Sequence, residues 1–257
     1  MPSDIGWGGL AASVALVGVA IAISRFRGLG LEGSLAWAGI RAAGQLLAVG
    51  FALGFVLGRG LGWSGAWIAA MLVVAADTVR RRAPEVPGAF VLALVAFAAA
   101  TVASLGVLFG LGVFPLEART LIPLGGMTIG NSMTATVLVA RRVVEDLRDK
   151  RDQVEARLAL GLPASAAAKP TVRDAVRTAL IPQIETTKAV GLVFLPGSMT
   201  GLILAGVPAL DAVRVQAAVM YLILAATTTT TVVVALGVQR RLFSRDHRLL
   251  GAAGSGT

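Results

Sequence analysis

Cysteine is absent from this chain, and histidine and tyrosine each occur once. The missing thiols exclude a disulfide framework, a thiolate metal site and a cysteine nucleophile. A single histidine excludes a multi-histidine metal centre within one chain. Lysine is nearly as scarce: Lys150, Lys169 and Lys188 follow Asp149, Ala168 and Thr187, whereas a P-loop requires Gly-Lys ahead of Ser or Thr. No nucleotide-binding loop is present, so any ATP hydrolysis coupled to this chain belongs to a separate subunit. Neither Gly-x-Ser-x-Gly nor His-Glu-x-x-His occurs, and no usable catalytic triad can be assembled. The chain is expected to do no covalent chemistry, to be no enzyme and to hold no cofactor of its own.

Charge is also thin. Only 14% of the 257 residues are charged, against 56% hydrophobic, and the mean hydropathy is +0.81. That is the composition of a polytopic membrane protein. The net charge of +9 would suit nucleic acid. The basic residues, however, cluster between long apolar runs, as membrane topology demands, so no nucleic-acid partner is expected.

A spanning helix needs roughly 20 apolar residues. Seven runs qualify, at about 6–24, 35–57, 63–79, 88–111, 120–140, 184–206 and 214–238, the third being the shortest. The first is expected to be a retained span, because "MPSDIGWGGL" lacks the basic n-region and small-residue cleavage site of a cleaved signal. With the N-terminus outside, 19 of the 23 Lys and Arg fall on the cytoplasmic side. Arg59, Arg119 and Arg214 fall outside, and Arg41 lies within the second run. This asymmetry predicts a multi-pass protein of the plasma or inner membrane with a cytoplasmic C-terminus. The expected architecture is all-α: one transmembrane domain over 1–257, about seven spans, a cytoplasmic amphipathic insertion at about 143–181 and a charged tail at 239–257 that includes His247.

The insertion reads as two helices. Val143, Leu147, Val154 and Leu158 recur at helical spacing in the first, with Asp146 and Lys150 as an i,i+4 pair. Thr171 and Asp174 form a capping-box-like start to the second, just after Pro170. Such helices either lie on the membrane surface or dock a cytoplasmic partner. Between them stands "EARLALG", from Glu155 and Ala156 to Gly161.

Polar groups inside a span must face a cavity or a partner. The fifth run offers Thr128, Asn131, Ser132, Thr134 and Thr136; Asn131 either bonds a neighbouring helix or faces a pathway. The glycine pairs Gly126/Gly130 and Gly197/Gly201 have the spacing that lets helices approach closely. Pro196-Gly197 interrupts the sixth run, as a static kink or as a flexing point. Glu185 and Lys188 stand near the start of that run, either paired with each other or with Glu185 offering an acidic oxygen to a hard cation. Asp77 is expected to pair with Arg80–Arg82. Met127, Met133 and Met199 are packing residues or a soft-metal path.

Glu155-Ala156, five residues ahead of Gly161, resembles the EAA loop of ABC-transporter permeases, in which a coupling helix docks in a cleft of the ATPase. Arg157 stands where that pattern has its second Ala. More widely, "IPLGGMTIGNSMTATVLVARR" (122–142), Ile181-Pro182 and "AVGLVFLPGSMTGLILAG" (189–206) resemble the FetB-type permeases. Those are membrane subunits of an ABC system associated with iron export in bacteria, and the family includes plant proteins linked to aluminium tolerance. This chain departs from the family pattern at Glu185, Ser198 and Leu202. The resemblance implies a homodimer bound to two P-loop ATPase subunits, which would bind ATP and Mg. It further implies an ATP-driven export of iron or a related solute, with Glu155, Ala156 and Gly161 as the ATPase-coupling residues. On the chemistry of the residues themselves, the expected pathway runs along Thr128, Asn131, Ser132, Glu185, Met199 and Thr200, with Glu185 as the metal contact and Pro196 and Gly197 as the gate. The competing reading is a stand-alone, ion-coupled secondary transporter using Glu185 or Asp77; no internal repeat supports it.

Overall fold

A computed structural model describes residues 7–244, 246 and 248–250. His247 and the end of the expected tail lie outside the described residues. Among the described residues there is no strand, only two isolated bridges, Val190–Phe194 and Phe243–Leu249. The protein is a membrane helix bundle of nine helices within that range. Its chain falls into two units, divided between Gly60 and Leu61.

The first unit is a helical hairpin of α1 (Trp7–Phe26) and α2 (Glu32–Leu57). Its turn is tied by Ser24, whose buried hydroxyl donates to Glu32 Oε1 at 3.0 Å and accepts from the Leu31 N–H at 3.2 Å. The outer surface is apolar: Leu46, Phe51 and Trp37 are exposed, as lipid contact requires of a helix this hydrophobic.

The second unit contains α3 (Leu61–Arg82), α4 (Ala89–Gly110), α5 (Ala118–Asp149), α6 (Arg151–Ala159), α7 (Ala164–Ala189), α8 (Gly197–Leu204) and α9 (Ala209–Arg241). At 1.5 Å per residue, α5 and α9, with 32 and 33 residues, reach about 48 and 50 Å, well beyond a hydrocarbon core of about 30 Å. Their excess carries charge. The largest buried cluster lies at that charged end, where Val139, Val143 and Leu147 of α5 meet Ala168 and Val172 of α7 and Val234 and Val238 of α9. Arg241 ties the end of α9 to the α3–α4 turn: its Nη1 donates to the Pro87 and Gly88 carbonyls at 2.6 and 2.5 Å. Gly88 holds a φ of +63°, and a Cβ there would meet that guanidinium at 2.7 Å.

By length and composition α2, α3, α4 and α9 can cross a membrane, and α1 supplies a shorter apolar helix. The third run, shortest in sequence, is among the four. The count of seven is coarser than the sequence implied, because the polar residues of α5 dilute its hydropathy and the sixth run is not one helix. Residues 184–189 close α7, 190–196 are non-helical and 197–204 form α8.

The insertion also differs from expectation. Residues 143–149 continue α5 without interruption, and the second helix begins at Ala164, with Pro163 rather than Thr171 at its cap. Pro170 and Pro182 lie inside α7. Burial of Ala167, Ala168, Thr171, Val172 and Ala175 overrides the roughly 3 kcal/mol that an interior proline costs a helix. Asp146 is engaged by Arg142 at 3.1 Å, and Lys150 instead approaches Asp174 at 3.9 Å.

Of the expected glycine pairs, only Gly126 packs closely against a neighbouring helix within the chain. Gly130, Gly197 and Gly201 have open space where a Cβ would stand, whereas Gly125 and Gly126 lie against Ile68 and Met71 of α3, at 3.0 and 3.1 Å from an added Cβ.

Candidate functional site

The break between α7 and α8 has a definite local cause. Gly191 turns left-handed at φ +84°, and its N–H donates to the Phe194 carbonyl at 3.0 Å. Pro196, at φ −61° and ψ 147°, is extended and becomes the N-cap of α8. A proline at a helix start loses nothing, since its missing N–H would be unpaired there anyway. Pro196-Gly197 therefore opens a short helix; it does not bend a continuous one.

Beside the break is a cavity of about 330 Å³, lined by Thr187 and Val190, Met199 of α8, and Gln216, Met220 and Tyr221 of α9, among others. Gln216 is buried, and the Ser198 hydroxyl donates to its Oε1. A buried amide in an apolar helix needs such a partner. The cavity thus combines two thioethers, an amide and hydroxyls, suited to polar groups of a desolvated solute. Among the described residues no three His, Cys, Asp or Glu side chains come together to hold a metal.

The residues expected along one pathway are placed apart. Met199 faces this cavity. Thr200 is exposed and bonds back within its own helix, its hydroxyl donating to the Pro196 carbonyl at 3.2 Å. Thr128, Asn131 and Ser132, all on α5, do not line it. Thr128 is buried and donates to the Leu124 carbonyl at 2.7 Å; Asn131 is exposed and donates to the Met127 carbonyl at 2.7 Å. Ser132 is buried, 3.3 Å from the Thr227 hydroxyl of α9. Glu185 lies in the last turn of α7, its Oε1 accepting from Lys188 Nζ at 2.9 Å, with both side chains more than 60% exposed. Asp77 pairs with Arg80 and Arg81, as its spacing predicts. Sequence reasoning missed Gln216, Met220 and Tyr221; an isolated Gln in an otherwise apolar stretch of the last run was the available signal.

The charged end carries the second feature. Helix α6 is anchored by Val154, fully buried, and by Arg157, whose Nη1 donates to the Ala167 carbonyl at 3.1 Å. The Arg at the third position of the EAA-like triplet therefore has a structural task. Glu155 and Ala156 stay exposed, Glu155 accepting from Arg151 Nε at 2.6 Å. The helix ends in a Schellman turn: Gly161, at φ +87°, donates to the Leu158 carbonyl at 2.9 Å, and Leu162 to the Arg157 carbonyl at 3.2 Å. Leu160 is 83% exposed beside it. Glu155, Leu158, Gly161 and Leu162, together with Asp246 and Arg248 beyond α9, line an open groove of about 640 Å³.

The model of the uncharacterised protein family UPF0014 matches residues 7–243. The chain belongs to this family. Similar UPF0014 relatives include the membrane protein STAR2 of Oryza sativa subsp. japonica, 38% identical over 83% of this chain and 75% of its own length. The probable iron export permease protein FetB of Escherichia coli K12 is 30% identical over 94% of this chain and 93% of its own length. The protein ALUMINUM SENSITIVE 3 of Arabidopsis thaliana is 32% identical over 82% and 77%. No solved structure matches the chain. The UPF0014 match takes in the break, the cavity beside it and α6, so these features lie within the part of the chain shared with the family.

Proposed function

We propose that this chain is the membrane-spanning permease subunit of an ABC transporter. It acts as a homodimer driven by a separate P-loop ATPase that binds ATP and Mg, and it exports iron or a related metal ion or solute. The observation that carries this reading is the presentation of α6: a short helix rigidly backed by Val154 and Arg157, with Glu155, Ala156 and Leu160 exposed at the most charged end of the bundle. The name of the Escherichia coli relative supports permease and iron export. The distribution of Lys and Arg supports placing α6 in the cytoplasm.

The chain's own residues supply a mechanical route. Closure of the ATPase subunits presses on α6. The Arg157–Ala167 bond and the shared core around Val154 pass the displacement to α7. At 190–196 no continuous helical ladder ties α7 to α8, so α7 moves relative to the Ser198–Gln216 contact and changes access to the cavity beside Met199. This is a two-state hinge, biased by the nucleotide state of the partner.

The test is purification from native membranes in mild detergent, followed by reconstitution with radioactive iron. A co-purifying P-loop ATPase and ATP-dependent iron movement that requires it support the reading. ATP-dependent movement by this chain alone, or ion-gradient-driven movement without ATP, overturns it.

A further inference from the structure

A third groove, between α7 and α9, plays no part in the break or in α6. The two helices run antiparallel there, since Gln239 near the end of α9 donates from Nε2 to the carbonyl of Ser165 at the start of α7, at 3.2 Å. The groove holds about 500 Å³, within the range of ligand-sized pockets. Its floor is aliphatic, with Val172 and Ala235 buried, and Val232 and Leu236 are exposed on the α9 side, Leu236 at 47%. On the α7 side stand Lys169 and Arg173, both exposed and one turn apart. Neither has a carboxylate within 4.0 Å among the described residues, and Asp174, the acid adjacent to Arg173, is engaged by Lys150.

Three physical facts select the occupant. The aliphatic side belongs to a helix apolar enough to cross a membrane. The groove lies within about two turns of Arg240 and Arg241, which close that helix, and basic residues at the end of an apolar helix are expected at the boundary between hydrocarbon and water. Two unneutralised cations at this level match a phosphodiester, while the aliphatic floor matches the chain below it. We propose that the α7–α9 groove is a binding site for an anionic phospholipid, with Lys169 and Arg173 holding the phosphate and Val232 and Leu236 flanking an acyl chain. A basic residue near an anionic lipid surface is worth about 1 kcal/mol, so the pair favours an anionic over a zwitterionic headgroup by about 30-fold. Because α7 also carries the contact to α6 through the Ala167 carbonyl, bound lipid would steady the element that the proposed coupling moves.

The test is native mass spectrometry of the full chain in mild detergent, titrated with phosphatidylglycerol or phosphatidylcholine of the same acyl chains. The expected result is a preference of about 30-fold for phosphatidylglycerol, unaffected by excess inorganic phosphate. It falls to within about threefold in Lys169→Gln/Arg173→Gln. Arg141→Gln/Arg148→Gln, which removes the same charge from α5, keeps the preference. Leu236→Trp, which fills the aliphatic side with both cations intact, weakens binding of both lipids. Equal affinity for the two lipids, displacement by inorganic phosphate, equal loss in the α5 pair, or full binding by Leu236→Trp overturns the assignment. So does a disulfide-linked dimer of Leu236→Cys, made in this cysteine-free chain, because it would put a second copy in the groove.

Discussion

Replacing Gly161 by valine puts a β-branched residue where the backbone holds φ +87°. An L-residue pays roughly 1–2 kcal/mol in the left-handed region, and valine stands at the upper end of that range. The space around Gly161 is open, so the penalty is conformational and nothing clashes. It falls on the two bonds that close α6, from Gly161 to Leu158 and from Leu162 to Arg157. A destabilisation of about 2 kcal/mol raises the open fraction of that turn about 30-fold. Hydrogen exchange read by mass spectrometry on a peptide covering 158–163 should therefore quicken by up to about 30-fold for those two amides. Exchange in α4, whose backbone is remote from this turn, stays unchanged. In vesicles containing the ATPase subunit, transport falls while the chain still inserts and folds. Gly161→Ala should show the same pattern at the smaller end of the range, and Gly161→Asn, tolerated in the left-handed region, should approach the native protein. Unchanged exchange in the valine variant would refute the turn geometry. Faster exchange with full transport would refute the coupling role of α6.

The exposed Glu185–Lys188 pair is worth only about 0.2–0.5 kcal/mol, so Glu185→Gln should leave thermal stability nearly unchanged and lower substrate affinity. Lys188→Gln mimicking it, with recovery in the charge-swapped double variant, would reduce Glu185 to a pairing role. Gly237→Ala brings a Cβ to 2.3 Å from Leu92 Cδ1 and should lower stability in detergent by about 1–3 kcal/mol. Adding Leu92→Ala should recover part of that loss, and Gly201→Ala, with open space around it, should show none of it; equal effects at the two glycines would contradict the packing of α4 on α9. The Thr136 hydroxyl is fully buried and has no hydrogen-bond partner among the described residues, so the isosteric Thr136→Val should raise stability by about 1 kcal/mol, read as a higher melting temperature. A drop would mean that this hydroxyl is used.

Some of this was readable directly from the sequence because it depends only on local chemistry. Long apolar runs with few charges require helices in a membrane, and clustered Lys and Arg mark one side of it. The spacings of Asp77 to Arg80 and Arg81, and of Glu185 to Lys188, dictate pairs within a single turn. The family resemblance, carried by 122–142 and 189–206, came from the same source.

Tertiary structure decided what depends on neighbours distant in sequence. Pro170 reads as a helix boundary, yet α7 passes through it because one face is buried against α5 and α9, and no local signal reports that burial. Pro196-Gly197 reads as a kink, yet Gly191 ends the preceding helix well before it, so the proline caps a new one. Thr128, Asn131, Ser132 and Met199 share a polar or polarisable character that suggested a common path. Only the packing of α8 on α9 separates Met199 from the other three and sets it beside Gln216 and Met220. The packing of α7 between α5 and α9 sets Lys169 and Arg173 at the rim of an aliphatic groove, while Asp174 on the same helix lies toward Lys150 at the end of α5.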